Sequence, residues 1–230
     1  MKGIIGAMDK EIVYLLDRME NKSQVTMADK EFYHGFISGK EVVVAKSGIG
    51  KVNATMTTTM LLTNWQIEAV LNIGVAGGVR NCHTGDIVLA DGIVYSDATI
   101  ADIDDVPFGK MGNDPLIVTC DEKMLYEARK ILEQKKEKHV SGIIASGDRF
   151  VTDMAYLADI DQVIDNIVAC EMEGMAVAMT CFKFRVPFLS IRGISDMLGE
   201  DDQQDKYRIS VDEIAKKTSG FALDFLVENV

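Results

Sequence analysis

Short apolar runs recur along the chain at residues 2–7, 41–46, 69–74, 86–94, 140–146, 167–171 and 187–193. Each is of strand length, and each is β-branched or bounded by Gly, Asp or Asn. Several are apolar without alternation, which suits strands buried on both faces. Between them the period becomes helical. Ile12, Leu15, Leu16 and Met19 share one helix face, as do Leu125, Ala128 and Leu132. Thr119 and Glu122 have capping-box spacing ahead of the second of these. Residues 172–182 predict a largely apolar helix, and a last helix runs through 211–227. Strands alternating with helices predict an α/β chain, a three-layer α/β/α sandwich. With no repeat, no low-complexity tract and only three prolines, residues 1–230 read as a single domain.

Composition narrows the class. The hydrophobic fraction is 47% and the charged fraction 26%, ordinary for a globular protein. A net charge of −12 repels phosphate backbones, so no nucleic-acid partner is expected. No apolar stretch approaches the roughly 20 residues of a membrane span, so no membrane partner is expected either. The apolar start at Gly3-Ile4-Ile5 is too short for a signal segment and reads as a first strand. Cys82, Cys120, Cys170 and Cys181 form no C-x-x-C pair and read as reduced, mostly buried thiols. The expected location is the cytoplasm.

In such sheets ligands bind where strands end, and three acidic groups stand there out of pattern. Glu11 follows the first strand, in the opening turn of a helix. Taken alone, it is more simply an acid favouring a helix N-terminus. Glu171 and Glu173 flank a strand-to-helix junction, where one should face a site and the other serve structure. Asp196 follows the run 187–193, with Arg192 nearby as a partner for a carboxylate or a ligand. Capping is the simpler reading of each. Together they describe an acidic pocket, suited to a cationic transition state such as that of glycoside cleavage.

Two glycine-rich stretches follow strands. Ser47-Gly48-Ile49-Gly50-Lys51 has Ala45 and Val52 where a phosphate-binding Walker loop needs Gly and Ser or Thr. Gly74-Val75-Ala76-Gly77-Gly78 does not match a dinucleotide fingerprint. Both offer close backbone approach or simple tight turns. His34, His83 and His139 have no metal-ligand spacing, and no G-x-S-x-G elbow occurs. Neither metal nor cofactor is expected, which leaves acid–base chemistry.

Several segments resemble bacterial 5′-methylthioadenosine/S-adenosylhomocysteine nucleosidases. They are Gly3-Ile4-Ile5-Gly6-Ala7-Met8-x-x-Glu11, Lys46-Ser47-Gly48-Ile49-Gly50-Lys51-Val52-Asn53-Ala54, Asn72-Ile73-Gly74-x-Ala76-Gly77-Gly78 and Gly85-Asp86-Ile87-Val88. Ser146-Gly147-Asp148-x-Phe150, Glu171-Met172-Glu173 and Arg192-x-Ile194-Ser195-Asp196 continue the order across nearly the whole chain. The resemblance implies a nucleoside phosphorylase-like fold with a mixed central sheet. It implies hydrolysis of an adenine nucleoside, a small-molecule substrate, by a homodimer whose subunits complete each other's pockets. By position, Glu11 would activate water, Glu173 would bind the ribose hydroxyls, and Asp196 would donate a proton to adenine N7. Met172 would pack on the sugar and Phe150 on adenine, while the Val151 backbone reads the edge of the base. Met8, Ile49, Ala76, Gly77, Glu171, Ser195 and Arg192 would complete the binding set.

Three departures bear on the substrate. Val75 replaces the small hydroxyl residue usual in the Gly-x-Ala-Gly-Gly stretch. Residues 96–115 lack the usual aromatic-rich pattern. Residues 197–208 read as a long acidic loop. A purine nucleoside phosphorylase, a nucleosidase for another substrate such as aminodeoxyfutalosine, and a silent nucleoside-binding module therefore stand as alternatives.

Overall fold

A computed structural model describes residues 1–228. Its strands are β1 (Lys2–Gly6), β2 (Glu20–Met27), β3 (Lys30–Ile37), β4 (Lys40–Lys46), β5 (Ala69–Gly78), β6 (Ile87–Tyr95), β7 (Val118–Thr119), β8 (His139–Ser146), β9 (Ile167–Glu171) and β10 (Phe188–Met197). Its helices are α1 (Asp9–Leu16), α2 (Lys51–Asn64), α3 (Glu122–Gln134), the short α4 (Ala158–Asp161), α5 (Gly174–Phe184) and α6 (Gln203–Glu228). The sheet is mixed, in the order β10-β6-β8-β9-β5-β1-β4-β3-β2. Helices α2 and α5 pack together, and α1 and α3 each pack on α6. This is the α/β arrangement that the alternation of strands and helices predicts.

The apolar runs are strands because both of their faces are covered. Val42, Val43, Val44 and Ala45 of β4 have no exposed surface, and neither do Val70 and Leu71 of β5. Helix α3 buries Met124, Leu125, Ala128, Ile131 and Leu132 along one stripe. Its cap differs from the expected Thr119 capping box. Asp121 is the N-cap, and its carboxylate accepts from Met124 N at 2.9 Å. Thr119 is occupied in β7, paired with Gly92 of β6.

The sheet also closes on itself, because β10 pairs with β5 as well as β6. Strand β5 therefore has one edge on β10 and shares its other edge between two partners. Ala69 to Asn72 pair in parallel with β1, and Gly77 and Gly78 pair antiparallel with β9. Residues 73–76 lie in the gap between those partners. That gap is where the site forms.

Two boundaries move relative to the sequence expectation. The stretch Gly74–Gly78 is strand, not loop, and β10 runs through Asp196 to Met197. A register shift between Ile194 and Asp196 bends β10 there, as an extra residue in a strand does. The acidic segment 197–208 is mostly regular structure. Met197 ends β10, α6 begins at Gln203, and residues 198–202 alone connect them.

Candidate active site

A pocket opens at the gap in β5. Glu11, Glu171, Glu173 and Asp196 all line it, although they come from three distant parts of the chain. Of the expected binding residues, Met8, Ile49, Ala76, Gly77, Phe150, Met172 and Ser195 line it too. Val151 lines a small adjoining cavity. Arg192 borders neither, and its guanidinium is packed behind the wall.

Glu11 sits in the first turn of α1 and is 3% exposed. Its Oε2 accepts from Ala7 N at 2.7 Å and Met8 N at 2.9 Å, and Oε1 accepts from Val75 N at 3.0 Å. The first two bonds serve the helix N-terminus. The third uses a backbone donor left over in the sheet gap, so Glu11 both caps the helix and lines the pocket. Burial pushes its pKa above the ordinary value, while Arg192 and the three N–H groups pull against that shift.

Glu171 and Glu173 divide as the junction predicts. Glu171 Oε2 accepts from Glu173 N and Gly174 N, capping α5, and from Arg192 Nη2 at 2.8 Å. Arg192 also donates to Asn72 O at 3.0 Å and Asn72 Oδ1 at 2.5 Å. This buried pair ties β9 and β10 to β5. Glu173 instead accepts from Gly50 N at 2.7 Å. Burial, reinforced by neighbouring Glu171, pushes its pKa to about 8.

Asp196 leaves β10 just after the register shift and is 1% exposed. Its Oδ1 accepts from Ser195 Oγ at 2.6 Å, and its Oδ2 from Gln203 Nε2 at 2.8 Å. Burial raises its pKa, and both hydrogen bonds oppose the rise by favouring the carboxylate. A carboxyl raised in this way holds its proton to higher pH than an ordinary aspartate does.

The glycines have two different reasons. Gly48 and Gly50 hold φ values of 83° and 95°, which a side chain disfavours. Gly77 sits where a Cβ would be 3.2 Å from Asp196 Oδ2 and 2.6 Å from Leu198 Cδ1. The loop at Gly48 has little left for a phosphate. Ser47 N and Gly48 N donate to Gly6 O and Ala7 O, Gly50 N to Glu173, and Lys51 N to Asp148. The Lys51 ammonium pairs with Asp97 at 2.5 Å.

Tyr207 also lines the pocket, together with Ala7, Val75 and Cys170. The sequence reading missed Tyr207. Its ring meets Phe150 edge-on, with centroids 5.4 Å apart. The available signal was the helical spacing of Gln203, Tyr207, Val211 and Ile214 through the acidic segment. The four cysteines are free and buried, and burial pushes Cys120 and Cys181 to about 12. Thiols so raised are not nucleophiles at neutral pH. Among the described residues no helix is long and apolar enough to cross a membrane, and no group of three His, Cys, Asp or Glu could hold a metal.

Comparison with known proteins decides the family. Residues 2–228 match the phosphorylase superfamily. A 5′-methylthioadenosine/S-adenosylhomocysteine nucleosidase of Marinomonas sp. (strain MWYL1) is 37% identical over 204 residues, 88% of each chain. The chain belongs to this nucleosidase family. The Neisseria meningitidis nucleosidase, solved with methylthio-immucillin-A, superposes with a TM-score of 0.93 at 29% identity, covering 98% of this chain and 97% of that one. The family's enzyme from Colwellia psychrerythraea 34H, solved with adenine, gives 0.91 at 30% identity, covering 98% and 93%.

Proposed function

We propose that this chain hydrolyses the N-glycosidic bond of 5′-methylthioadenosine and S-adenosylhomocysteine, releasing adenine and the thioribose. The observation that carries this reading is the meeting of Glu11, Glu173 and Asp196 around one pocket. The names of its relatives supply the substrate class.

In this reading the protonated Asp196 carboxyl gives its proton to adenine N7, so the base departs neutral as the C1′–N9 bond breaks. Glu11 accepts a proton from the water that attacks C1′. Glu173, pushed to about 8, can both donate to and accept from the ribose hydroxyls. The anionic surroundings stabilise positive charge developing on the ribosyl group. Phe150, Tyr207, Ile49 and Met172 supply apolar walls, which suit a purine face and a thioether tail.

A phosphorolytic reaction fits the site poorly. Glu11 stands where the nucleophile belongs and would repel a phosphate dianion. The nearby glycine loop has four backbone donors already engaged.

We further infer one domain, since both parts of the sheet share β5. A homodimer is inferred from exposed apolar residues beside the pocket: Ile49 in its wall is 55% exposed and Val52, in the first turn of α2, 79% exposed, surface that a second copy would cover. The buried thiols fit a reducing compartment, the cytoplasm.

The test is incubation with methylthioadenosine, adenosylhomocysteine, 5′-deoxyadenosine, adenosine and aminodeoxyfutalosine, with and without phosphate. Free adenine from the two thionucleosides, independent of phosphate, is the expected result. A phosphorylated sugar product, or activity confined to aminodeoxyfutalosine, would overturn the reading.

A further inference from the structure

Gln203, the first residue of α6, is 3% exposed, and all three of its side-chain hydrogen bonds are internal. Oε1 accepts from Gly199 N at 3.2 Å. Nε2 donates to Val151 O at 2.9 Å and to Asp196 Oδ2 at 2.8 Å. The amide thus spends one N–H on each of two acceptors, Asp196 in the wall of the main pocket and Val151 in the wall of the small cavity beside it. Gln203 borders that small cavity, which shares Gly77, Phe150 and Asp196 with the main pocket.

A primary amide nitrogen is planar and presents two hydrogens about 120° apart. The 6-amino group of adenine has the same geometry. On adenine, N7 and the 6-amino group project from one edge. An acid serving N7 therefore also faces the amino group, whose second hydrogen points away from that acid. Resting on the function proposed above, Asp196 and the Val151 carbonyl are the acceptors on either side of that group.

We propose that Gln203 determines specificity and affinity in the base site, because its side-chain amide holds the place of adenine's 6-amino group and must yield both acceptors to it. A base with that amino group replaces both hydrogen bonds and expels the amide. A purine with hydrogen at C6 makes neither bond and leaves the amide where it is. Gln203 therefore taxes ligands bearing a 6-amino group and narrows their advantage over ligands without one.

The test compares wild type with Gln203→Met, which keeps length and volume but has no donor, and with Gln203→Ala. Dissociation constants for adenine and for unsubstituted purine are measured by calorimetry, with KM and kcat for methylthioadenosine alongside. The expected result is adenine bound about tenfold tighter by both variants, the scale of one or two net hydrogen bonds. Purine should stay within about twofold, and KM should fall more than kcat changes. Thermal melts identify a variant that has lost its fold, and the other variant then carries the comparison. Adenine bound no tighter by the variants, or purine gaining equally, overturns the inference alone. Wild-type protein that binds no adenine overturns the reading of the site and this inference with it.

Discussion

Gly74 makes room for Glu11: a Cβ on residue 74 would stand 2.6 Å from Glu11 Oε1. The same oxygen accepts from the neighbouring Val75 N–H, so the carboxylate lies against bare strand backbone. Gly74→Ala should push the carboxylate off that donor while β5 stays paired to β10 through Arg192 opposite residue 74. A displacement on the scale of 1 Å costs about 10²-fold in rate. Steady-state kinetics should show a loss of that order in kcat, with a smaller change in KM. Unchanged kcat would mean that Glu11 needs no such placement.

Asp196 and Glu11 are assigned opposite protonation states, and each should be tested by substitution and by pH. Asp196→Asn and Glu11→Gln should each lower kcat by about 10²- to 10⁴-fold with the fold retained by circular dichroism. In the unsubstituted chain activity should fall at high pH as Asp196 loses its proton, and at low pH as Glu11 gains one. Ser195→Ala removes a hydrogen bond that favours the Asp196 carboxylate. It should move the high-pH limb of kcat/KM upward. A downward move would contradict the role of Asp196 as acid.

The acids that line the pocket were legible because each is a carboxylate beside an apolar run, where a bare charge is costly. Glu171 and Glu173 were separable only as a pair, since their division depends on where Arg192 reaches from β10. Strand β2 was not legible. It is an edge strand whose residues are nearly all exposed, so no apolar alternation marks it. Strand β3, which buries Phe32 and Ile37, carried a signal that was passed over. Gln203 and Tyr207 were hidden by composition. They lie among Asp201, Asp202, Asp205 and Lys206, and only the spacing of α6 turns them inward. The closing of the sheet through β5 and β10 leaves no local mark, because it depends on register between distant segments.

Arg192 and Glu171 form an almost wholly buried pair, with each side chain 2% exposed. Arg192→Leu should strand the Glu171 carboxylate and cost about 3–5 kcal/mol. Urea unfolding should show that loss as a lower midpoint. Adding Glu171→Leu should recover part of it, because no unpaired charge then remains. A single variant as stable as wild type would show that the pair holds nothing together.

Glu173 makes stability depend on pH in an uncommon direction. Its pKa is about 8 when folded and near 4.5 when unfolded. Between those values the folded chain binds the extra proton, so stability falls as pH rises through that window. Glu11 and Asp196, also raised by burial, act in the same direction. Melting temperatures taken from pH 5 to pH 8 should decline, and Glu173→Gln should reduce the slope without abolishing it. A slope unchanged in Glu173→Gln would rule the residue out as a source.

The shared edge of β5 also bears on how the chain reaches its native state. The ring cannot close until β10 is in place beside a strand formed much earlier in the sequence. Contacts so far apart in sequence come at a high entropic cost and slow folding. Glu11 is positioned by the first of these segments and Asp196 by the last. The ability to bind a nucleoside therefore depends on that long-range closure, and a chain whose sheet has not closed would not compete with the mature protein for its ligand.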